Sequence, residues 1–434
     1  MPIKDIEELS NTVIPHAIDE NLVDFTEFFI ENANISKHSN KKPMITNFDT
    51  LYAEARKVFR IAPSKKEIRE TYNARFKHIP ITPVLTNWMV KRGMRKDSGV
   101  KVVAVLTMAG SKTQFSCSEN CSFCPTETDL EGNPTHPKSY VTGEPLMNRA
   151  EQVERSGETH LIRGQVWARL KSYYHTGNLT DTKNKEKIEV IISGGTWDVM
   201  PLQYREETMN ELYWGFNTFG DENPRPMLSV EEEIIINETT AKYVVIGLTI
   251  ETRPDFINKT AIKNYLRWGV TRVQIGVQHY DDEILEKLNR GCYTPHTIKA
   301  TALLKSVGLK VVVHLMPDLP GSSPEKDIEM FDRALSDPDL QFDDLKIYPC
   351  AVVKSSRKDR IVTSKIAEWH NEGSYIPYSE KNIDDLIRVC TYYKTRVPPH
   401  VRIQRLVRDL PSTNIEAGYK KTTNLRQVIP DRMA

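Results

Sequence analysis

The chain has 434 residues, a formal net charge of +1, 39% hydrophobic and 27% charged residues. Such a composition suits a globular protein of one large domain plus a small one, and no apolar run of about 18 residues exists to cross a membrane. Six cysteines, unevenly placed, argue against a disulfide scaffold and for a reducing, cytoplasmic setting. The polar, acidic start MPIKDIEELS does not read as a signal peptide.

The near-zero net charge hides an uneven distribution. Residues 1–53 carry nine acids and four bases, whereas residues 54–101 carry thirteen Lys or Arg against four acids. Residues 1–45 read as an acidic, peripheral helical arm, with Leu22, Phe25, Phe28, Phe29 and Ile30 as its apolar stripe. Residues 46–97 read as a basic helical module. Phe48, Leu51, Tyr52, Ala55, Val58 and Phe59 follow helical spacing. Ser64 before Lys65-Lys66-Glu67 has the pattern of an N-cap with an acid at the third helical position. Lys91, Arg92, Arg95 and Lys96 close the module. Beside Tyr72, Phe76 and Trp88 these charges suit a phosphate backbone, or else form a hydrated helix face. Ile79-Pro80-Ile81-Thr82-Pro83 breaks helix and marks a boundary.

From 98 to 411, short β-branched runs alternate with longer amphipathic stretches. The runs are 101–107, 188–192, 243–250, 272–277, 310–315 and 344–348; segments such as 261–268 and 297–307 between them read as helices. Strand, helix, strand in series predicts parallel β-α units, and apolar strands without strict alternation are covered on both faces. Six units fall short of the eight of a closed barrel. The expected fold is therefore α/β, a partial (β/α)6 TIM-like barrel behind a small N-terminal helical module. A doubly wound sheet is the alternative, and 412–434 reads as a C-terminal tail.

Unusual residues follow each predicted strand, at the edge where parallel barrels gather their active sites. Cys117, Cys121 and Cys124, spaced CxxxCxxC, follow the first. Three thiolates on one loop, with no second pair, suit a 4Fe–4S cluster with one open iron, which S-adenosylmethionine (SAM) can chelate; a structural zinc site or packed thiols are the alternatives. After the second strand, Gly194-Gly195-Thr196 allows close backbone approach to a ligand such as the SAM amino group, or forms a plain turn. Glu251 and Arg253 close the third strand and would hold the SAM carboxylate or ribose, or form a structural ion pair. Phe123, between two cysteines, would pack on the adenine or in the loop core. Gln278, at the fourth strand's end, suits a ribose hydroxyl. Gln274 lies near it, and His314 on the fifth strand reads as a core histidine. Lys346 and Tyr348 share one side of the sixth strand and are the candidates for substrate contact. Tyr140 lies in the long first crossover, a connection whose length suggests function. Arg402, Arg405 and Arg408 recur at three-residue spacing, as a basic face for RNA or a hydrated helix face.

The sequence resembles the catalytic subunit of the Elongator complex, in its radical SAM part, over residues 45–433. The motifs are VVAVLT after Ser98-Gly99-Val100, NCSFCP, SYVTGEP with Arg149, GGTW, IGLTIETRPD, TRVQIGVQ, NRG at 289–291, HLMPDLPG, LKIYP and RIQRLVRDLP. The resemblance implies a tRNA-modifying enzyme that installs a carboxymethyl group at C5 of the wobble uridine from acetyl-CoA, through a 5′-deoxyadenosyl radical. It also implies that the three cysteines ligate the cluster and that the basic module contacts tRNA. Two departures stand out. The family's first cysteine lies further upstream, where this sequence has Ser111. The family also carries a C-terminal acetyltransferase-like domain, and this sequence ends at Ala434 before it. Acetyl-CoA would then come through a separate acetyl-CoA-binding or Elongator-like partner protein, or the barrel would bind it alone, or the modification differs, or the sequence is part of a longer chain. A radical SAM enzyme on another substrate and a non-catalytic tRNA-binding scaffold are the competing functions.

Overall fold

The computed structural model describes residues 20–34, 48–63, 65–89, 98–107, 117, 119–175, 178–179, 184–408, 410–419, 425 and 427–429. It opens with helices α1 (Glu20–Asn34), α2 (Phe48–Phe59), α3 (Lys65–Thr71) and α4 (Pro83–Met89), with one π turn, Tyr72–Phe76, after α3. Phe25, Phe29 and Ile30 of α1 pack with Leu51, Ala55, Ile68, Leu85 and Met89 in a single apolar cluster. The described part of the segment read above as a peripheral arm, α1, thus shares one core with the basic module. Lys91, Arg92, Arg95 and Lys96 lie outside the described residues.

The remainder is built on β1 (Val100–Leu106), β2 (Thr126–Thr128), α5 (Pro145–Arg155), α6 (Leu161–His175), β3 (Glu186–Ser193), α7 (Leu202–Asn217), α8 (Val230–Thr239) and β4 (Tyr243–Thr252). It continues with α9 (Lys259–Arg267), β5 (Arg272–Gln278), α10 (Asp282–Lys287), α11 (Thr294–Ser306), β6 (Lys310–Leu315), α12 (Pro324–Ser336) and β7 (Asp344–Ile347). Short strands β8 (Val352–Val353) and β9 (Ile361–Thr363), helices α13 (Lys365–Asn371), α14 (Tyr378–Lys381) and α15 (Ile383–Arg396), then β10 (Arg402–Arg405) and β11 (Ile415–Ala417) complete it. No helix of the described residues is long and apolar enough to cross a membrane.

β1, β3, β4, β5, β6, β7 and β10 form one seven-stranded parallel sheet in that order, an open, curled half-barrel covered by helices. The partial-barrel expectation holds, with one strand more than the six expected. The extra strand carries Arg402 and Arg405, whose three-residue spacing had suggested a helix face. Four residues, two of them exposed arginines, are too short and too polar to show a strand period; parallel pairing with β7 sets their conformation.

Alternation along each strand splits the sheet into two environments. Val273, Ile275, Val311 and Val313 are fully buried in the apolar layer that includes Tyr265, Trp268, Phe331 and Tyr393 of the helices and their ends. The alternate residues, Gln274, His314 and Lys346, turn to the concave face, where the interior is polar. At its lower end Arg272 donates to Glu189 at 2.5 Å and lies 2.9 Å from Asp344, an ion-pair plug across three strands. The chain's end also takes part: β11 pairs with β8, and Tyr419, Leu425 and Ile429 sit in the main core.

Candidate active site

The cysteine loop is held over the upper end of the half-barrel from three sides. Ser122 N donates to Leu288 O at 2.8 Å and Asn289 Nδ2 to Asn120 O at 3.1 Å. Lys138 Nζ donates to Glu119 O at 3.0 Å, and Ile366 N to Ser122 O at 3.0 Å. Cys121 is buried, Cys117 and Cys124 half-buried, and none of the six cysteines is in a disulfide. Burial, with the Cys121 and Cys117 thiols near it, pushes the Cys124 thiol up to about 12. Phe123 packs against the small apolar cluster of Ile284, Leu288 and Ile366.

Two guanidinium groups meet the Cys121 sulfur. Arg290 Nη1 is 3.4 Å from Sγ and Arg253 Nη1 3.8 Å. Arg253 is also gripped by Asp255, through Nε at 3.0 Å and Nη2 at 2.9 Å. Burial opposes its charge, but Asp255 outweighs that and holds the Arg253 pKa above its ordinary value. Arg253 and Glu251 therefore do not pair with each other; each has its own partner. Arg290 is different: buried, it makes no ion pair among the described residues, donates to Gly276 O and Cys121, and leaves Nε without a partner. An uncompensated buried cation costs several kcal/mol. Its position beside a thiol loop fits an anionic group there.

Among the described residues, no three His, Cys, Asp or Glu side chains form a group able to hold a single metal ion. A single zinc ion would need its ligands crowded round one centre. A 4Fe–4S cluster is less demanding, since each of its three cysteines meets a different iron, and its negative charge suits Arg290 and Arg253. The residues present fit that group.

Beside the loop, the turn after β3 is built for close approach. Gly194 has φ 146°, and a Cβ there would sit 1.9 Å from Thr107 Oγ1. Trp197, buried in the core, and Asp198, which accepts from Thr252 Oγ1 at 2.7 Å and Arg205 Nη1 at 2.8 Å, anchor the turn. Thr196 is buried. Gln278 has φ 74° at the end of β5, where its carbonyl accepts from Met316 N at 2.8 Å.

Below the loop, polar side chains from four strands and the first crossover meet in one layer. Lys346 Nζ donates to Gln274 Oε1 at 2.5 Å, and His314 Nε2 lies 3.0 Å from the same oxygen. An ammonium only donates, so the amide orientation follows, and His314 carries its proton on Nε2. Its Nδ1 faces Glu251 Oε1 at 3.8 Å, and Tyr140 donates to Glu251 Oε2 at 2.8 Å. The Tyr348 ring stands edge-on to His314 at 5.3 Å. Burial lowers Lys346 to about 8, against the pull of Glu251 and with Arg405 adding to the fall. Burial also pushes His314 well below its usual range, helped by Lys346, Arg405 and Arg290. It raises Glu251, although Lys346 and Tyr140 counter it. Arg405, an exposed strand residue, thus also acts on this layer.

Lys346 is on β7 and Tyr348 just past its end, and both stand beside His314 or its amide partner. Sequence reasoning missed the roles of Gln274, Arg290 and Arg408. Arg408 donates to both Glu144 oxygens, at 3.0 and 2.6 Å, and to Ser139 O, with its guanidinium 5.5 Å from the Tyr140 ring centre. It clamps the crossover that delivers Tyr140. A signal was present for the first residue: Gln274, His314 and Lys346 are polar residues inside apolar strands, all in phase with the concave face.

A model of the radical SAM superfamily matches residues 111–334, and one of the radical SAM C-terminal domain residues 342–434. A tRNA uridine(34) acetyltransferase of Methanocaldococcus infernus is 36% identical over 386 residues, covering 88% of this chain and 65% of its own length. Elongator complex protein 3 of Saccharomyces cerevisiae is 32% identical over 344 residues, with 78% of this chain and 56% of its own length covered. The chain belongs to the radical SAM family of Elongator complex protein 3. A solved structure of the archaeal Methanocaldococcus infernus Elp3, lacking its N-terminal residues 1–46, superposes with a TM-score of 0.58 at 34% identity, covering 77% of this chain and 62% of that one. This family's radical SAM domain implies a 4Fe–4S cluster and SAM as cofactors. The chain spans just under two thirds of the first archaeal relative and just over half of the yeast one.

Proposed function

We propose that this chain is a radical SAM enzyme that modifies C5 of the wobble uridine of tRNA, adding a carboxymethyl group drawn from acetyl-CoA. The reading is supported by the names of its relatives, and above all by the buried Arg290 guanidinium beside Cys121, which makes no ion pair among the described residues and beneath which lies a buried layer containing a lysine of lowered pKa. Cys117, Cys121 and Cys124 would hold the cluster. When bound, the cluster and SAM supply a 5′-deoxyadenosyl radical able to take hydrogen from an unactivated carbon.

The protein's own contribution is binding, orientation and proton handling. The Gly194–Gly195–Thr196 turn offers backbone groups to the amino end of SAM. Arg253, Glu251 and Gln278 offer charge and hydrogen bonds to its carboxylate and ribose, and Phe123 an apolar edge to its adenine. Replacing the hydrogen on uridine C5 by a radical carbon must release a proton and one electron; the electron would return to the cluster, and water would free the CoA thiol from the thioester. Lys346 Nζ, lowered to about 8, is partly neutral near neutral pH and can accept the C5 proton. Tyr348 stands two residues on, facing the same lumen. Arg402 and Arg405, with Lys91, Arg92, Arg95 and Lys96, would meet the tRNA backbone. Acetyl-CoA would be bound here or delivered by an Elongator-like partner protein, in the cytoplasm.

The test is anaerobic reconstitution followed by incubation with SAM, reductant, acetyl-CoA and unmodified tRNA, with nucleosides analysed by mass. A carboxymethyl-type uridine is the expected product. SAM cleavage with a different modified nucleoside would sink the transferred group, and colourless protein that binds tRNA without cleaving SAM would leave only a scaffold. Cys121→Ala should lose SAM cleavage and keep tRNA binding.

A further inference from the structure

We propose that Arg290 is the cluster's built-in counter-charge, a positioning residue that sets its reduction potential through the Cys121 sulfur. The inference rests on the reading that Cys121 ligates a 4Fe–4S cluster. Arg290 is 5% exposed and follows α10 in a tight turn, with Asn289 at φ 51° and Gly291 at φ 62°. Its guanidinium has two partners, Gly276 O on β5 and Cys121 Sγ at 3.4 Å.

The fold makes room for this contact. A Cβ at Gly276 would stand 2.8 Å from Gln278 Nε2 and 3.1 Å from Arg290 Nη2, so the glycine in the concave wall leaves a notch that the Gln278 amide and the guanidinium share. The same turn fixes the loop, through Leu288 O to Ser122 N and Asn289 to Asn120 O. The donor and the sulfur are thus carried on segments tied to each other. Arg253 also reaches Cys121, but Asp255 already offsets its charge through a two-pronged contact. Among the described residues Arg290 is within ion-pair distance of no carboxylate, and Asp255, which its charge reaches at longer range, is already bonded to Arg253.

Reduction adds one negative charge to a cluster, and an N–H donor with positive charge at a ligand sulfur stabilises the reduced form more than the oxidised one. Removing Arg290 should therefore make the cluster harder to reduce. The expected effect of Arg290→Gln is about a tenfold lower ratio of reduced to oxidised cluster at fixed potential, or about 59 mV for one electron.

The experiment is a redox titration of the reconstituted full chain, followed by electron paramagnetic resonance, on wild type, Arg290→Gln and Arg290→Lys, with iron per chain measured for each. A negative shift in Arg290→Gln at wild-type iron content, partly recovered in Arg290→Lys, is the expected result. An unchanged potential with full iron content overturns the proposal and leaves the cluster intact. Wild-type protein that takes up no iron overturns the cluster reading itself, a distinct outcome. If Arg290→Gln does not assemble a cluster, Arg290→Met, which keeps the bulk without the charge, decides: a negative shift at full iron content supports the role and no shift refutes it.

Discussion

Tyr140 donates a 2.8 Å hydrogen bond to Glu251, across 111 residues of sequence. The contact joins the long first crossover to the end of β4, and so closes the lumen on the side of the cysteine loop. Tyr140→Phe removes a donor from a largely buried carboxylate. A loss of about 1–3 kcal/mol is expected from such a change, read as a lower urea midpoint with an unchanged slope. It should also raise the Glu251 pKa further, since the Tyr140 bond now lowers it. A raised carboxyl favours the folded state at low pH and loses that contribution as pH climbs through the folded pKa. The destabilisation by Tyr140→Phe should therefore be smaller at pH 5 than at pH 8.

Lys346 has the opposite pH signature. Its folded pKa of about 8 lies below the usual 10.5, chiefly because it is buried. The unfolded chain then holds more protons between those values, so this group makes stability rise with pH from about 8 to about 10.5. Isotope-edited NMR of reductively methylated lysines should find one that titrates near pH 8. Lys346→Arg should remove that signal; if the signal persists, another lysine carries it.

Gly194 tolerates no side chain. A Cβ would meet Thr107 Oγ1 at 1.9 Å, on a backbone with φ 146°. Gly194→Ala should cost about 1–3 kcal/mol from strain alone and weaken SAM binding. Thr107→Ala removes the nearest atom and should return part of the stability. Full stability in the single variant would show that the turn moves freely.

Arg408 and Glu144 form a two-pronged pair, with the arginine 21% and the glutamate 9% exposed at the side chain. Arg408→Ala leaves Glu144 buried without its cation. Partial solvent access tempers the loss, for which about 2 kcal/mol is expected. The pair Arg408→Met with Glu144→Gln should be less destabilised than the sum of the two single variants, as thermal melts of all four proteins would show. Additive effects would mean that Arg408 acts on Tyr140 and Ser139 alone.

Arg402 and Arg405 test the RNA side. Both are exposed, but Arg405 also lowers Lys346 and His314. Arg402→Glu should weaken tRNA binding and reduce its salt slope by about 1. Arg405→Gln should do the same and also raise the pH at which Lys346 titrates. Equal effects of the two on Lys346 would argue against the assigned positions.

Much of the architecture was legible because it is local. The runs near residues 188, 243, 272 and 310 are rich in β-branched, apolar residues, and burial on both faces of a parallel strand favours that. The cysteine triplet and the glycine pair were legible for the same reason, since spacing and backbone freedom are properties of a few consecutive residues. Arg402 and Arg405 were harder: four residues at a sheet edge carry too little pattern, and pairing with β7 decides their conformation.

Partnership was a tertiary matter. Glu251 and Arg253, two residues apart, would share one face of a continuous strand, but β4 ends at Thr252 and the chain then turns, so they reach Tyr140 and Asp255 with Cys121 instead. The alternation of Gln274, His314 and Lys346 was visible in sequence. That they share one oxygen, Gln274 Oε1, depends on the register of β5, β6 and β7. The sequence by itself determined the strand series, the cysteine loop and the family's motifs. Only the tertiary structure decided that Arg290, 169 residues from Cys121, stands at its sulfur with no ion-pair partner among the described residues. Burial and long-range contact set that charge balance, and neither is a property of any short stretch of chain.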